Sequence, residues 1–388
     1  MLNELSMERP AASDLKTPFQ RFATRACFSI VIGVSLLVLG EAACYLYFRF
    51  DPGPPIYKNP YFSRTYAREL NESAKRQYLP YVVWRRAPYQ GRYITVDDQG
   101  VRKTQNSYCD DNKNEVIWMF GDSALWGTGS NDAETIPSQL AKLYAQSGKK
   151  ICITNYGEAG WVSTQEVIEL MLQLKQAPHP PNFVVFYDGT DDVFLRHQTD
   201  VPNAHQNFAL YKEHFEEWQP RKRWGVGYLR MTNTYRALEE LSQKLNVSKP
   251  STKPQPSQQE IDSLAYSVEE NYLNNMRLVE ALAASYGFQD LFFWYPTSLA
   301  GQKPLTGAEA AEQQWLQEEN PGLAMLTRET YRLCRSLKLP DFFYLGDILD
   351  DRKDRLYIDT SHLTPEGNGL IAQHLFQVLQ TAKAANSQ

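Results

Sequence analysis

The chain is short of cysteine and carries no strong excess of charge of either sign. Five cysteines occur among 388 residues, and two of them, Cys27 and Cys44, lie in a long apolar run. The other three, Cys109, Cys152 and Cys334, have no metal-type spacing, so we expect neither a zinc site nor a disulfide framework. One bridge among them fits an oxidising compartment. A net charge of −5 argues against nucleic acid as a partner.

The one long apolar run covers residues 26–48. Its length suits a bilayer core of about 30 Å, and Tyr45 and Tyr47 suit the aromatic belt at a membrane surface. Glu41 lies near enough to the end of the run to reach that surface. A cleaved signal peptide is the alternative, but the length of the run and the charge of Glu41 favour an uncleaved anchor. We therefore expect a single-pass protein of the inner membrane, with residues 1–25 cytoplasmic and the main domain periplasmic or extracellular.

Two fragments far apart in the chain complete each other chemically. Residues 120–123 (Phe-Gly-Asp-Ser) place Ser123 directly after an apolar run that is typical of a buried strand. Residues 359–362 (Asp-Thr-Ser-His) place Asp359 three positions before His362. A serine hydroxyl needs a base to take its proton, and that base works best when a carboxylate orients it. The two fragments together supply a nucleophile, a base and an orienting carboxylate.

Two further segments lie between these fragments. They are residues 153–160 (Ile-Thr-Asn-Tyr-Gly-Glu-Ala-Gly) and 184–192 (Val-Val-Phe-Tyr-Asp-Gly-Thr-Asp-Asp). The four segments in this order resemble those of the SGNH, or GDSL-type, serine hydrolases, and the resemblance covers residues 116–379, about two thirds of the chain. It implies an ester-cleaving enzyme with no metal and no cofactor.

The resemblance also implies roles for individual residues. Ser123 matches the nucleophile, His362 the general base and Asp359 the residue that orients the base. Gly160 matches a glycine whose backbone N–H stabilises the oxyanion of the tetrahedral intermediate. The third segment adds Gly189 and Asp191 to the binding residues, and we expect Asp122 to brace the nucleophile turn.

Asp191 departs from the family pattern, which has asparagine at this position. An asparagine side chain donates an N–H to the oxyanion, whereas an ionised aspartate can only accept. Loss of one such donor typically raises the barrier by about 3 kcal/mol. A protonated Asp191 could donate, and another side chain could take the place of the asparagine. The remaining alternative is a weakened or non-catalytic site.

The pattern of apolar runs predicts the organisation of the chain. Residues 49–110 follow the anchor as a tether, Pro-rich at 51–55, and a small β preamble packed beside the main domain. From residue 116 onward strands and helices alternate within a domain at 111–382, which predicts an α/β fold with a doubly wound, flavodoxin-like parallel sheet. We expect strands at 116–120, 151–155, 182–187, 290–295 and 341–346. A capping box of Ser163 and Glu166 is expected to start the helix at 164–175.

An insertion at about 195–260 interrupts the alternation. It contains His197, His205 and His214, whose spacing of eight and nine residues fits no common metal-ligand motif. Surface histidines are the interpretation we adopt, with the insertion forming a wall or cover for substrate. Residues 246–259 are polar and proline-rich, which predicts a flexible loop.

Three functions agree with these features. The leading one is a membrane-anchored serine esterase acting on carbohydrate or lipid esters, with O-acetyl groups of envelope polysaccharide as the favoured substrate. An O-acetyltransferase that works with a membrane partner protein uses the same residues, and the identity of such a partner is not encoded. A polysaccharide-binding module with a weakened site is the third, prompted by Asp191.

Overall fold

The computed structural model describes residues 18–50, 59–109, 114–199, 201–217, 232–247 and 256–386. The chain forms two compact units, one of residues 1–51 and 220–252 and the other of residues 52–219 and 253–388. The expectations for the tail before residue 18, for the tether at 51–55 and for the loop at 248–255 lie outside the described residues.

Helices and strands have the following bounds. The helices are α1 (Pro18–Phe50), α2 (Arg64–Glu72), α3 (Ser123–Trp126), α4 (Ile136–Gln146), α5 (Ser163–Gln176), α6 (Thr190–Gln198), α7 (Phe208–Glu217), α8 (Asn233–Val247), α9 (Gln258–Tyr286), α10 (Gly307–Glu319), α11 (Pro321–Ser336) and α12 (Pro365–Asn386). The strands are β1 (Arg76–Leu79), β2 (Val83–Arg86), β3 (Tyr89–Gln90), β4 (Thr95–Val96), β5 (Glu115–Gly121), β6 (Ile151–Asn155), β7 (Phe183–Asp188), β8 (Gln289–Trp294) and β9 (Phe342–Tyr344).

The larger unit is built on a parallel sheet with the strand order β6-β5-β7-β8-β9. One face packs against α4 and α12, with Leu140 and Leu375 fully buried. The other face packs against α5, α9 and α11 through Leu170, Val279 and Leu326. Helices on both faces explain why the strands are apolar throughout and not alternating. The predicted α/β fold with a doubly wound, flavodoxin-like sheet is confirmed.

The sheet order places the candidate residues at one edge. Counted along the chain within this sheet, the order is 2-1-3-4-5, so the direction of winding reverses between β5 and β7. Ser123 follows β5, Gly160 follows β6 and Gly189 follows β7, each beyond the carboxyl end of its strand. Open α/β sheets bind ligands at this edge, next to the reversal.

The preamble is more than a neighbour of the main domain, because buried arginines attach it to the loops at the carboxyl edge of the sheet. Arg86 and Arg102 lie with their guanidinium carbons 3.7 and 4.2 Å from the centre of the Trp126 ring. Arg102 also donates to the carbonyl oxygens of Trp126 and Gly127, at 3.0 and 2.7 Å. Since Trp126 ends the short helix that begins at Ser123, residues of the preamble help to hold that helix.

In the smaller unit, α1 contains an apolar stretch, Arg21–Phe50, with a mean hydropathy of 2.1. Its length and composition suffice to cross a membrane, and an N-terminal signal sequence can have the same properties. Glu41 does not depend on a membrane surface for its partners, because it accepts hydrogen bonds from the backbone N–H groups of Asn233 and Thr234, at 2.7 and 2.9 Å. Its carboxylate thereby caps the N-terminus of α8.

Two local expectations have clear outcomes. The capping box at α5 is wrong: the N-cap is Val162, and the Ser163 hydroxyl instead donates to Asp192 Oδ1 at 2.6 Å, while Glu166 is buried. A disulfide bond joins Cys109 to Cys152, the single bridge that the cysteine count allowed. Cys334 is a buried thiol.

Candidate active site

Ser123 is the first residue of α3, and only Asp122 separates it from the end of β5 at Gly121. The residue before it, Asp122, caps α3 by accepting a hydrogen bond from the Ala124 N–H at 2.7 Å. Gly121 is needed for the turn, since a Cβ atom there would lie 2.5 Å from the carbonyl oxygen of Tyr187. The strand therefore ends with the serine lifted beyond the sheet, and Asp122 has the bracing place that the sequence predicts.

His362 and Asp359 form a continuous hydrogen-bonded line with Ser123. The Nδ1 atom of His362 lies 2.7 Å from Asp359 Oδ2, and its Nε2 atom lies 2.8 Å from Ser123 Oγ. Asp359 Oδ1 accepts from the backbone N–H groups of Ser361 and His362, at 2.9 and 2.8 Å. These bonds orient the carboxylate, so that it faces the imidazole although the two residues share a short loop.

Electrostatic interactions favour an ionised Asp359 beside a His362 that accepts a proton readily. Burial alone raises the pKa of Asp359, but the charge of His362 and the hydrogen bonds from His362 and Ser361 outweigh it and hold the pKa below its usual value. Burial lowers the pKa of His362, yet the carboxylates of Asp359 and Asp191 outweigh burial and raise it above its usual value. An ionised Asp359 stabilises the imidazolium that forms when His362 accepts a proton.

Gly160 lies in the loop after β6 with a left-handed backbone, at φ +82°. The carbonyl oxygen of the residue before it, Ala159, accepts hydrogen bonds from Arg76 Nη2 at 3.1 Å and from Trp84 Nε1 at 3.3 Å. These two preamble residues are absent from the sequence-based site. The run Trp-Arg-Arg at 84–86, with its concentration of aromatic and positive side chains in one short strand, was the available signal.

Asp191 is the second residue of α6 and lies close to Gly160. The Gln206 side chain, the Gly160 N–H and the charge of His362 all act on its carboxylate to lower its pKa. Burial raises its pKa to about 6 against the lowering effect of these three groups. Within the described part of the chain, its Oδ2 atom has no hydrogen-bond partner. Gln206, a residue of the insertion, is also absent from the sequence-based site.

Gly189 is the N-cap residue of α6. A Cβ atom at this position would lie 2.7 Å from the Tyr331 hydroxyl and 2.8 Å from the Tyr295 ring, both of which are buried. The close approach of these two rings is what requires glycine. The structure thus gives Gly189 a packing contact, whereas Gly160 and Asp191 approach each other at the edge of the sheet.

Several carboxyl groups are buried behind the turn. Burial raises the pKa of Glu166 well above its usual value, and the charge of Asp188 adds to this effect. Asp188 has a pKa of about 7, again raised chiefly by burial, and accepts a hydrogen bond from the Tyr272 hydroxyl at 2.9 Å. Glu166 and Asp188 interact directly, so a proton shared between them avoids two adjacent buried charges.

His205, in the insertion, packs among aromatic rings. The His205 ring lies 5.7 Å from the Trp84 ring and 5.0 Å from the Tyr211 ring, centre to centre. Among the described residues, no group of three or more His, Cys, Asp or Glu side chains has the arrangement of a metal site.

No protein-family model matches this chain, and no curated protein matches its sequence. Solved structures that are similar to it include a member of the lipolytic protein G-D-S-L family from Veillonella parvula DSM 2008, 12% identical over 69% of this chain and 98% of that one, with a TM-score of 0.37. Esterase EstA from Pseudoalteromonas sp. is 11% identical over 70% of this chain and 100% of its own, with a TM-score of 0.35.

A third similar structure is a carbohydrate acetylesterase family member from Sinorhizobium meliloti. It is 14% identical over 69% of this chain and 98% of that chain, with a TM-score of 0.30.

Proposed function

We propose that this protein is a serine esterase of the SGNH type. The observation that carries the proposal is the unbroken line of hydrogen bonds from Asp359 through His362 to Ser123, at 2.7 and 2.8 Å. A serine whose hydroxyl contacts an imidazole, which is in turn oriented by a carboxylate, is the arrangement that activates serine for attack on carbonyl carbon. Its place at the carboxyl edge of the sheet gives substrate access.

The proposed reaction has two halves. Ser123 Oγ attacks the ester carbonyl while His362 Nε2 takes its proton, and the Gly160 N–H stabilises the oxyanion. Collapse of the tetrahedral intermediate breaks the ester bond, and His362 returns the proton to the leaving alcohol. Water then attacks the acyl-enzyme with His362 again as base, which releases the acid and restores Ser123.

One contact favours a second candidate, a binding module with a weakened site. The Gly160 N–H, which the esterase needs for the oxyanion, faces the Asp191 carboxylate and lowers its pKa. An ionised Asp191 competes with the oxyanion for this N–H and also repels it. If the carboxylate stays in place, ester binding continues without turnover.

For location and substrate, we propose an envelope protein anchored by α1 that removes small acyl groups, such as O-acetyl groups of polysaccharide. Two features support an exported domain. The apolar helix precedes it in the chain, and the Cys109–Cys152 disulfide requires an oxidising compartment to persist. The O-acetyltransferase and its partner protein gain no specific support from the contacts described.

The test is turnover of a panel of acetyl, butyryl and longer-chain esters, together with an acetylated polysaccharide, by the full chain in detergent. We expect hydrolysis of short acyl esters and a loss of roughly a thousand-fold or more in Ser123→Ala. Ser285→Ala, at an exposed serine on α9, is the matched control and should keep full activity. Absence of turnover in the wild-type protein on every ester, with retained polysaccharide binding, would favour the binding module.

A further inference from the structure

The peptide bond between Ala159 and Gly160 is held by residues that lie outside the four segments that resemble those of the SGNH hydrolases. Its carbonyl oxygen accepts hydrogen bonds from Arg76 in β1 and Trp84 in β2, at 3.1 and 3.3 Å. In a trans peptide the C=O and N–H groups point in opposite directions. Fixing the oxygen therefore fixes the direction of the Gly160 N–H.

The opposite side of the same peptide faces the site. The Gly160 N–H faces the carboxylate of Asp191 and lowers its pKa, and Asp191 interacts with His362. β1 and β2 pair in an antiparallel hairpin. The two faces of one peptide thus connect this hairpin of the preamble to the place where an oxyanion is expected.

Gly160 cannot hold this orientation by itself. Glycine adopts positive and negative φ angles about equally readily, so the peptide before a glycine flips at low cost. At φ +82° the N–H points toward Asp191, and a flip would direct the Ala159 carbonyl oxygen there instead. A carbonyl oxygen in that place would repel an oxyanion. An external restraint on the carbonyl is therefore needed for a constant donor.

The two residues that supply the restraint also hold each other. The Arg76 guanidinium carbon lies 4.8 Å from the centre of the Trp84 ring. Trp84 is 2% exposed, and its own carbonyl accepts a hydrogen bond from Trp161 Nε1 at 3.0 Å. Trp161 directly follows Gly160. The hairpin and the loop are therefore connected in both directions.

We propose that Arg76 and Trp84 are positioning residues that keep the Gly160 N–H directed into the active site. Arg76 adds a second effect, because its positive charge at the carbonyl polarises the peptide and strengthens the N–H as a donor. The proposal rests on the proposed esterase function and adds two residues to it. Neither residue contacts the substrate in this proposal.

A competing role for Arg76 is substrate binding, since its side chain is exposed and its Nη2 atom would lie 3.5 Å from a Cβ atom at Gly160. The two roles differ in kinetics. Loss of a substrate contact made equally in ground and transition state raises KM, whereas loss of an oxyanion donor lowers kcat. A neutral substrate sharpens the distinction, because it offers no charge for Arg76 to bind.

The experiment compares Arg76→Ala, Arg76→Lys and Trp84→Phe with the wild-type full chain on a neutral activated acetyl ester. Trp84→Phe keeps an aromatic ring and removes the N–H. Arg92→Ala is the matched control, because Arg92 is an exposed preamble arginine that stacks on Tyr93. Direct removal of an oxyanion donor lowers kcat 100- to 1,000-fold, and loss of a positioning residue should have a smaller effect. We therefore expect kcat to fall roughly ten-fold in Arg76→Ala, less in Arg76→Lys, and several-fold in Trp84→Phe. KM should stay within about two-fold of the wild-type value in each variant, because neither residue contacts the substrate.

Labelling of Ser123 by a neutral fluorophosphonate supplies a second measurement. Its phosphoryl oxygen needs the same donor, so the labelling rate should fall by the same factor as kcat, while the melting temperature of Arg76→Ala stays within about 2 °C of wild type. Unchanged kcat and labelling in both Arg76→Ala and Trp84→Phe would overturn the positioning role and leave the esterase intact. A rise in KM alone would also overturn it. If the wild-type protein shows neither turnover nor labelling, the proposed function itself fails.

Discussion

Tyr295 donates a hydrogen bond of 2.5 Å to Asp122 Oδ2, directly behind the candidate nucleophile. The same hydroxyl lies 2.7 Å from Thr190 Oγ1 and accepts a hydrogen bond from the Thr190 N–H at 2.9 Å. Asp122 caps the helix that begins at Ser123, and Thr190 begins the helix that carries Asp191. One buried hydroxyl therefore joins the two loops on which the proposed chemistry depends.

Removing this hydroxyl should loosen both loops. Tyr295→Phe leaves buried partners of the hydroxyl unsatisfied, which typically costs about 1–3 kcal/mol. We expect a melting temperature lower by several degrees, at roughly 2–4 °C per kcal/mol for a domain of this size, and a smaller loss of turnover. Tyr286→Phe, at a tyrosine that is 42% exposed, should change neither quantity. Equal melting temperatures and rates for Tyr295→Phe and wild type would show that the bond does not support the site.

Replacing Asp191 by asparagine should increase turnover. Asp191→Asn restores a side-chain donor and removes a charge that repels the oxyanion, so the rate on a small activated ester at pH 8 should rise roughly ten-fold or more, since each 1.4 kcal/mol of barrier is a factor of ten. Asp290→Asn is the matched control. Burial also raises the pKa of Asp290 to about 6, but this residue lies at the amino end of β8, whereas the candidate site lies at the carboxyl ends of the strands.

If Asp191 is instead protonated and already donates, the pH dependence of the rate shows it. A protonated Asp191 that already donates would make the wild-type rate fall as pH rises through about 6, the pKa of this carboxyl, and Asp191→Asn would lose that fall. An unchanged rate together with an unchanged pH profile would mean that Asp191 takes no part in the reaction.

The pH dependence of the base should shift in the same variant. His362 acts as base only when neutral, so activity rises with pH through the pKa of His362. Asp359 and Asp191 both raise that pKa against the effect of burial. Removing the Asp191 charge destabilises the imidazolium and lowers the pKa, so the rising limb of kcat/KM should move to lower pH in Asp191→Asn. A limb at the same pH in both proteins would contradict the interaction between Asp191 and His362.

The apolar helix α1 should keep the intact protein in membranes. We expect the full chain to sediment with membranes and to retain its N-terminus, as read by N-terminal sequencing of the purified protein. A chain shortened to begin near Asp51 should be soluble. Recovery of mature protein that begins after Ala42 or Ala43 would replace the anchor with a signal peptide.

Local signals and long-range contacts were not equally predictable from the sequence. Apolar runs mark buried strands directly, so the five strands of the sheet were predicted within two residues at every boundary. The Ser163 capping box failed because Asp192, 29 residues away, offers the Ser163 hydroxyl a buried partner that no local pattern shows. Arg76 and Trp84 reach Ala159 across 83 and 75 residues, and such pairs have no periodicity in the sequence. Trp126 and its two arginines were missed for the same reason.

Covalent trapping of the nucleophile is the most direct test of the proposed chemistry. The full chain is treated with a fluorophosphonate, digested, and analysed by mass spectrometry, with Ser123→Ala and Ser285→Ala treated in parallel. We predict a single adduct on the peptide that contains Ser123, present in wild type and Ser285→Ala and lost in Ser123→Ala. Labelling that persists in Ser123→Ala, or an adduct on another residue, would contradict the assignment of Ser123 as the nucleophile.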